Sequence, residues 1–209
     1  MNPGTQAIIA LCALLVAWYV VGHLYNRKLG LRIRRGLAAG LDDLGGETEQ
    51  GWIGSPAAGA TVNVTRAEAP FRRLEVTLLL ENRESPLLWL LDQFRKRRDR
   101  IIVRATLRSP RRGEVRIRAG AQPRDHEESW TWKEGPHGLS IAYRGHKASE
   151  LVRSLSAWVE KYGAQLRRLD WCKQDPHIDL ELWTRGLPSG SSGAVLADLR
   201  TALLGDQQG

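Results

Sequence analysis

The sequence predicts an α+β protein: one N-terminal transmembrane helix, then a soluble domain whose mainly antiparallel sheet is packed by two or three helices. Three observations point there. Thr5 to Leu24 contains no Asp, Glu, Lys or Arg. Short runs of alternating apolar and polar residues recur through the middle of the chain, the period of a half-buried strand. Other stretches repeat their apolar residues every three or four positions, the period of a helix with one buried face.

The anchor comes first, over residues 1–25. About 20 apolar residues at 1.5 Å rise cross the ~30 Å hydrocarbon core of a bilayer. One charge at mid-helix costs ~2.5–3.5 kcal/mol on insertion scales, a cost this stretch avoids. Trp18, Tyr19 and Tyr25 sit toward its C-terminal end, where aromatic rings favour the interface. The residues before the run carry no basic side chain, whereas Arg27, Lys28, Arg32, Arg34 and Arg35 follow it. Under the positive-inside rule the N-terminus is outside and the rest cytoplasmic, at a cell (inner) membrane. A cleaved signal peptide has the opposite charge order and a small-residue cleavage site, so an uncleaved signal-anchor is expected.

Residues 26–44 read as a basic juxtamembrane helix. Leu29, Ile33, Leu37, Leu41 and Leu44 recur at helical spacing, with Arg34 and Arg35 off that stripe. A helix lying on lipid or on the domain is preferred to a dimerisation seam, because the run holds little more than two heptads. Residues 45–60 are rich in Gly, Ser, Pro and Ala and read as a linker interrupted by Trp52 and Ile53.

The domain is expected over 61–204, followed by a flexible tail at 205–209. Thr61 to Thr65 alternates as a short strand, and Leu74 to Leu80 places Leu74, Val76, Leu78 and Leu80 on one face. Ser85 and Pro86 open a helix as N-cap and first helical residue, and that helix carries Leu87, Leu88, Leu91 and Phe94. Ile101 to Arg108 and Glu114 to Arg118 read as a hairpin about Ser109–Gly113. Ser129 to Lys133 and Leu139 to Tyr143 read as a second. A helix follows from Ala148 to Leu169, with Leu151, Leu155, Trp158, Tyr162, Leu166 and Leu169 on its buried face. Ile178, Leu180 and Leu182 mark a last strand. Ser191 or Ser192 caps a final helix bearing Val195, Leu196, Leu199 and Leu203. Stripped of additions, the order is βαββαβ, that of a ferredoxin-like fold.

Charge is unevenly placed. The chain carries +8 formally, with 25 arginines and six lysines. Residues 95–118 alone hold eleven cations against Asp99 and Glu114. With the juxtamembrane cations also set aside, 15 bases and 21 acids remain, so the excess is local. Period-two alternation turns Arg100, Arg104, Arg108, Arg116 and Arg118 away from the core, with Arg111 and Arg112 in the turn. The resulting arginine face calls for an anionic cover, since like charges opposed across strands repel. Acids of the same domain, anionic lipid, an acidic protein or nucleic acid would all serve. No aromatic residue is interleaved over 100–118, which disfavours a base-stacking RNA platform.

Catalytic signals are weak. His177, Asp179 and Glu181 share a strand face suited to a metal, but also to solvent. Cys172 and His177 would make a nucleophile pair without a third group, and a structural thiol is the simpler reading. His126, Glu127 and Glu128 lie in a polar loop. No phosphate-binding glycine loop or zinc-hydrolase motif occurs. The two cysteines, Cys12 and Cys172, are too differently placed to pair. Most of the eight tryptophans fall at core-like positions, and Trp130 and Trp132 share one strand face.

The expectation is therefore a non-enzymatic, membrane-anchored interaction or scaffold domain, an accessory subunit or adaptor with no cofactor. Its partners are the lipid bilayer and a protein of a membrane complex, met through the arginine face. Membrane-localised nucleic-acid binding is the alternative, and an enzyme with an unrecognised site a further one.

Overall fold

A computed structural model describes residues 2–42, 44–109, 113–120, 129–187 and 192–204. The expected tail at 205–209, the turn residues Arg111 and Arg112, the loop residues His126 to Glu128, and Ser191 lie outside them.

The first element, α1, runs unbroken from Pro3 to Asp42. Forty residues at 1.5 Å make it about 60 Å long, twice the thickness of a hydrocarbon core. Its first half is exposed on every side and is long and apolar enough to cross a membrane. Its second half is part of the domain. Gly22, Asn26, Gly30, Leu37 and Leu41 are buried at helical spacing. Of the leucine stripe read in the sequence, Leu37, Leu41 and Leu44 reach 0–1% exposure in the main core.

Among the described residues nine strands follow: β1 (Glu47–Trp52), β2 (Gly59–Thr65), β3 (Phe71–Leu79), β4 (Arg100–Leu107), β5 (Glu114–Ala119), β6 (Thr131–Glu134), β7 (Leu139–Arg144), β8 (Leu166–Trp171) and β9 (Ile178–Trp183). They form one sheet in the order β1-β2-β3-β4-β9-β8-β5-β7-β6, with every pair antiparallel. Three more α-helices are α2 (Pro86–Phe94), α3 (Ala148–Tyr162) and α4 (Ser192–Leu204). The second half of α1, α3 and α4 share the core with the sheet through Leu41, Leu155, Trp158, Leu196 and Leu199. Gly40 of α1 and Gly193 of α4 allow these two helices to touch backbone to backbone: a Cβ on Gly40 would lie 2.2 Å from the Gly193 Cα. The indole of Trp158 donates to the Val195 carbonyl at 3.0 Å and joins α3 to α4.

Four sequence expectations are corrected here. The Gly-rich linker expected over 45–60 contains β1, an edge strand paired residue for residue with β2. Trp52 and Ile53 belong to its end. Alternation is absent from Glu47-Thr48-Glu49-Gln50, because an edge strand over solvent buries neither face.

The ferredoxin-like arrangement does not form. It requires parallel neighbours joined by a helix lying on the sheet. The helix after β3 buries no residue, and β3 and β4 are antiparallel neighbours. The helix expected from Ala148 to Leu169 stops at Tyr162, and Leu166 to Trp171 form β8 instead. Finally, β4 and β5 are not a hairpin. The β9 and β8 strands lie between them.

Candidate functional site

Two regions collect the residues singled out by the sequence: the outer face of the sheet, and the place where α1 meets the segment between β3 and β4.

On the sheet, separation of β4 from β5 changes the meaning of the arginines. The strands placed between them bring acids. One register row crosses all nine strands as Glu49, Asn63, Glu75, Arg104, Asp179, Asp170, Arg116, Ala142 and Trp132. Arg100 Nη1 is 3.3 Å from Glu181 Oε1, and Arg118 Nη2 is 2.6 Å from Asp170 Oδ1. Arg168 bridges Asp179 and Asp170, and Arg167 also reaches Glu181. Arg116 stacks over the Trp130 ring at 4.3 Å, with Arg144 over the same ring at 4.5 Å. Arg108 is structural, donating to the Phe71 and Ala67 carbonyls at 3.1 and 2.7 Å. Arg104 is exposed between Glu75 and Asp179.

The outer face thus mixes acids with its arginines and is not a one-sign surface. Opposite charges on adjacent strands stabilise a sheet where like charges would not. Arg118 and Arg100 meet acids of β8 and β9 that lie 52 and 81 residues downstream of them. The same geometry assigns His177, Asp179 and Glu181. The last two meet arginines, and His177 Nδ1 accepts from the Leu107 amide at 3.1 Å. Cys172 is half-buried, and burial raises its thiol pKa, which opposes a nucleophilic role. Of the tryptophans, Trp130, Trp158 and Trp171 are buried, whereas Trp18 is 38% exposed.

The second region was not anticipated. Residues 80–85 lie directly on α1. A Cβ on Gly22 would fall 2.1 Å from the Arg83 carbonyl oxygen, so only glycine permits this approach. The Trp18 indole donates to that same carbonyl at 3.1 Å. His23 Nδ1 is 2.9 Å from Glu84 Oε1. Asn26, 1% exposed, donates its amide to the carbonyls of Glu81 at 2.7 Å and Ala57 at 3.0 Å. A polar residue on α1 is tolerated there because its hydrogen bonds are filled.

Beneath this contact Arg83 holds Asp99 with a two-pronged pair at 2.9 and 2.8 Å and donates to Asn26 Oδ1 at 2.9 Å. Asp99 accepts from the Glu81 amide at 2.7 Å. Glu81 lies 3.3 Å from Arg83 and 3.7 Å from Arg98. Burial is the largest influence on Glu81 and raises its carboxyl pKa, against the pull of Arg83. The network ties α1 to the start of α2.

From this knot α2 lies beside the exposed apolar half of α1. Ser85 Oγ accepts from the Leu88 amide at 3.4 Å and Pro86 opens the first turn, as the sequence indicated. The apolar residues that this helix carries are not in the core. Leu87 is 74% and Phe94 77% exposed, and Leu88, Leu90 and Leu91 are exposed too. Trp89 packs on Trp18 with centroids 5.6 Å apart. Leu14, Ala17, Trp18, Val21, Tyr25 and Trp89 line a cleft of about 480 Å³ between the helices.

Nearby are the residues expected at a membrane interface. Tyr19 stacks on His23 at 5.9 Å and Tyr25 lies 5.1 Å from the Arg83 guanidinium. Arg27, Lys28, Arg32 and Arg35 are exposed. Arg34 turns instead onto β1, over Trp52 at 4.5 Å and donating to Gln50 at 3.0 Å. The signal for this region was readable in part: Pro86–Phe94 is almost wholly apolar and ends in four cations, a composition unlike that of a helix half in water.

The fold and site define a class: an antiparallel α+β domain built onto the C-terminal half of a helix apolar enough to cross a membrane. No protein-family model matches the chain, and no curated protein resembles it in sequence.

Proposed function

We propose that this is a single-pass membrane protein that works without catalysis, its domain a cytoplasmic interaction module serving as accessory subunit or adaptor in a membrane complex. The observation that supports this best is the continuity of α1. One helix carries an exposed apolar half and a half packed into the domain core. A domain joined in that way cannot swivel on a linker, so it presents fixed surfaces at a fixed height above the bilayer. Such pre-organisation suits assembly with a membrane partner, because little orientational freedom is left to lose on binding.

The basic surface available to an acidic partner or to anionic lipid is Arg27, Lys28, Arg32 and Arg35 on α1, with Arg95, Lys96 and Arg97 after α2. Of the sheet arginines, Arg100 and Arg118 are interleaved with acids of their own domain, Arg108 donates to backbone carbonyls and Arg116 stacks on Trp130. That interleaving also weakens the nucleic-acid reading, which rested on a one-sign face.

Two experiments test the proposal. With Cys12 and Cys172 replaced by alanine, single cysteines at Asn2 and Lys173 are labelled with a membrane-impermeant maleimide. Residue 2 should react on intact cells and residue 173 only after lysis; the reverse pattern would overturn the orientation. Purification of the chain from its native membrane in mild detergent should give a complex with a second membrane protein in fixed ratio. A lone chain would overturn the subunit role.

A further inference from the structure

We propose that α2 is a second membrane contact: a short helix lying in the lipid–water interface, its apolar side in the acyl region and Arg95, Lys96 and Arg97 on anionic headgroups. This rests on the reading of α1 as a membrane span and adds to it a fixed docking surface for anionic lipid.

Four features of the fold converge on that occupant. The helix is apolar on nearly all sides yet contributes nothing to the core; its exposed residues are Leu87, Leu88, Leu90, Leu91 and Phe94. A soluble surface of this kind, five large side chains in under three turns, marks a buried interface. Its height is set by the anchor. Trp89 lies against Trp18, and the cleft between the helices is lined from Leu14 to Tyr25 of α1. Those positions are the C-terminal part of the apolar span, where a bilayer's interface falls when Trp18, Tyr19 and Tyr25 occupy the aromatic belt. The apolar surface of α2 is therefore continuous with that of the anchor.

Charge supplies the third argument. Arg95, Lys96 and Arg97 follow the last turn and are exposed, and the next residue, Arg98, reaches Glu81, whose carbonyl is held by Asn26, the residue before Arg27 and Lys28. Arg98 is drawn instead to Glu81 and Gln93. An interfacial helix of this design buries its apolar side some ~5–10 Å below the headgroups and gains attraction from anionic lipid. The fourth is rigidity. The contact of Gly22 with the Arg83 carbonyl and the pair of Arg83 with Asp99 hold the start of α2 against α1. The walls of the cleft, Leu14, Ala17, Val21 and Trp89 among them, are apolar and suit an acyl chain.

The test uses the full chain, with Cys12 and Cys172 replaced, reconstituted at about one copy per vesicle in phosphatidylcholine alone or with 30% phosphatidylglycerol. Nitroxide labels are placed singly at Val16, Leu87, Phe94 and Glu160. Collision with oxygen and with an aqueous nickel chelate is then measured. Labels at 87 and 94 should match Val16 in losing access to the chelate, while Glu160 stays fully accessible. Phosphatidylglycerol should deepen 87 and 94, and R95Q/K96Q/R97Q should abolish that dependence without moving Val16.

Labels at 87 and 94 as accessible as Glu160, with Val16 shielded, would overturn this proposal and leave the anchor standing; a protein partner would then cover α2. An accessible Val16 would sink both readings. Shielding lost on dilution from many copies per vesicle to one, with spin–spin broadening before it, would assign the face to a second copy and overturn the lipid proposal. Insensitivity of depth to phosphatidylglycerol would overturn the role of the three cations.

Discussion

The Arg83 carbonyl oxygen occupies the space in which residue 22 would carry a Cβ, 2.1 Å from that ideal position. This contact fixes where α2 begins relative to the apolar half of α1. Gly22→Leu forces the two backbones apart, and overpacking of this kind costs about 1–3 kcal/mol. It also removes the geometry in which Trp18 donates to Arg83. The expected outcome is a lower midpoint in chemical denaturation of the detergent-solubilised chain, with loss of contact between Trp18 and Trp89. An unchanged midpoint would show that residues 80–85 do not rest on α1.

Arg83 is the hub beneath that contact. Its side chain is 20% exposed and those of Glu81 and Asp99 are 5% and 11% exposed. Removing the shared cation leaves two carboxylates close together in a poorly solvated place. Breaking a buried pair from one side costs about 3–5 kcal/mol, most of it from the charge left behind. Arg83→Ala should approach that loss, whereas Arg83→Ala combined with Asp99→Asn should recover part of it. A double variant no better than the single one would argue against electrostatics as the cause.

Glu81 gives the network a pH signature. Burial raises its pKa in the folded protein above the unfolded value. The folded state therefore holds a proton that the unfolded chain has released. Its contribution is complete below the ordinary carboxylate pKa of ~4.3 and is lost as pH rises through the raised value. Glu81→Gln keeps the shape without the titration. Thermal midpoints should converge at low pH and separate as pH climbs above the carboxylate range, the variant falling less. Parallel curves across that window would refute it.

Asp170 holds apart two arginines. Arg118 and Arg168 are opposite one another across β5 and β8, and both reach the Asp170 carboxylate. Asp170→Asn leaves like charges facing across the strands, which is unfavourable. Partial exposure limits the loss to about 1 kcal/mol, and added salt should narrow it by screening. A deficit unchanged between low and high salt would point to packing instead.

Much of this fold was legible because local patterns dominated it. The alternation in Leu74–Leu80, the cap at Ser85-Pro86 and the stripe from Leu151 to Tyr162 each name their element without help from afar. Pairing was not legible. Residues 100–118 look like a hairpin because the strands are adjacent in sequence and Ser109–Gly113 is a turn composition. The partners they take instead, β9 and β8, lie 50 or more residues away, which no local window contains. The edge strand β1 escaped for the opposite reason: with neither face buried it has no alternation to read. The exposure of Leu87, Leu88, Leu91 and Phe94 on α2 was not legible either, because their composition is equally that of a core face. Burial there depends on what the sheet leaves uncovered.

The rigid junction leads to the strongest test of how anchor and domain are related. If residues 26–44 merely lay on lipid, the domain would fold without them. Instead Leu37, Leu41 and Leu44 lie in the core with Val64, Val195 and Leu199. Leu41→Ala should cost about 2–5 kcal/mol, as for other fully buried leucines. A fragment beginning at Gly45 loses all three and exposes the partner faces of α4 and β2. It should show no cooperative thermal transition, whereas a fragment beginning at Gly22 should retain one. That asymmetry follows from where helix α1 changes its surroundings, near Gly22, at the end of the apolar run. Cooperative unfolding of the shorter fragment near the midpoint of the longer would mean that the domain is self-sufficient. The second half of α1 would then be an attachment and not a layer of the core.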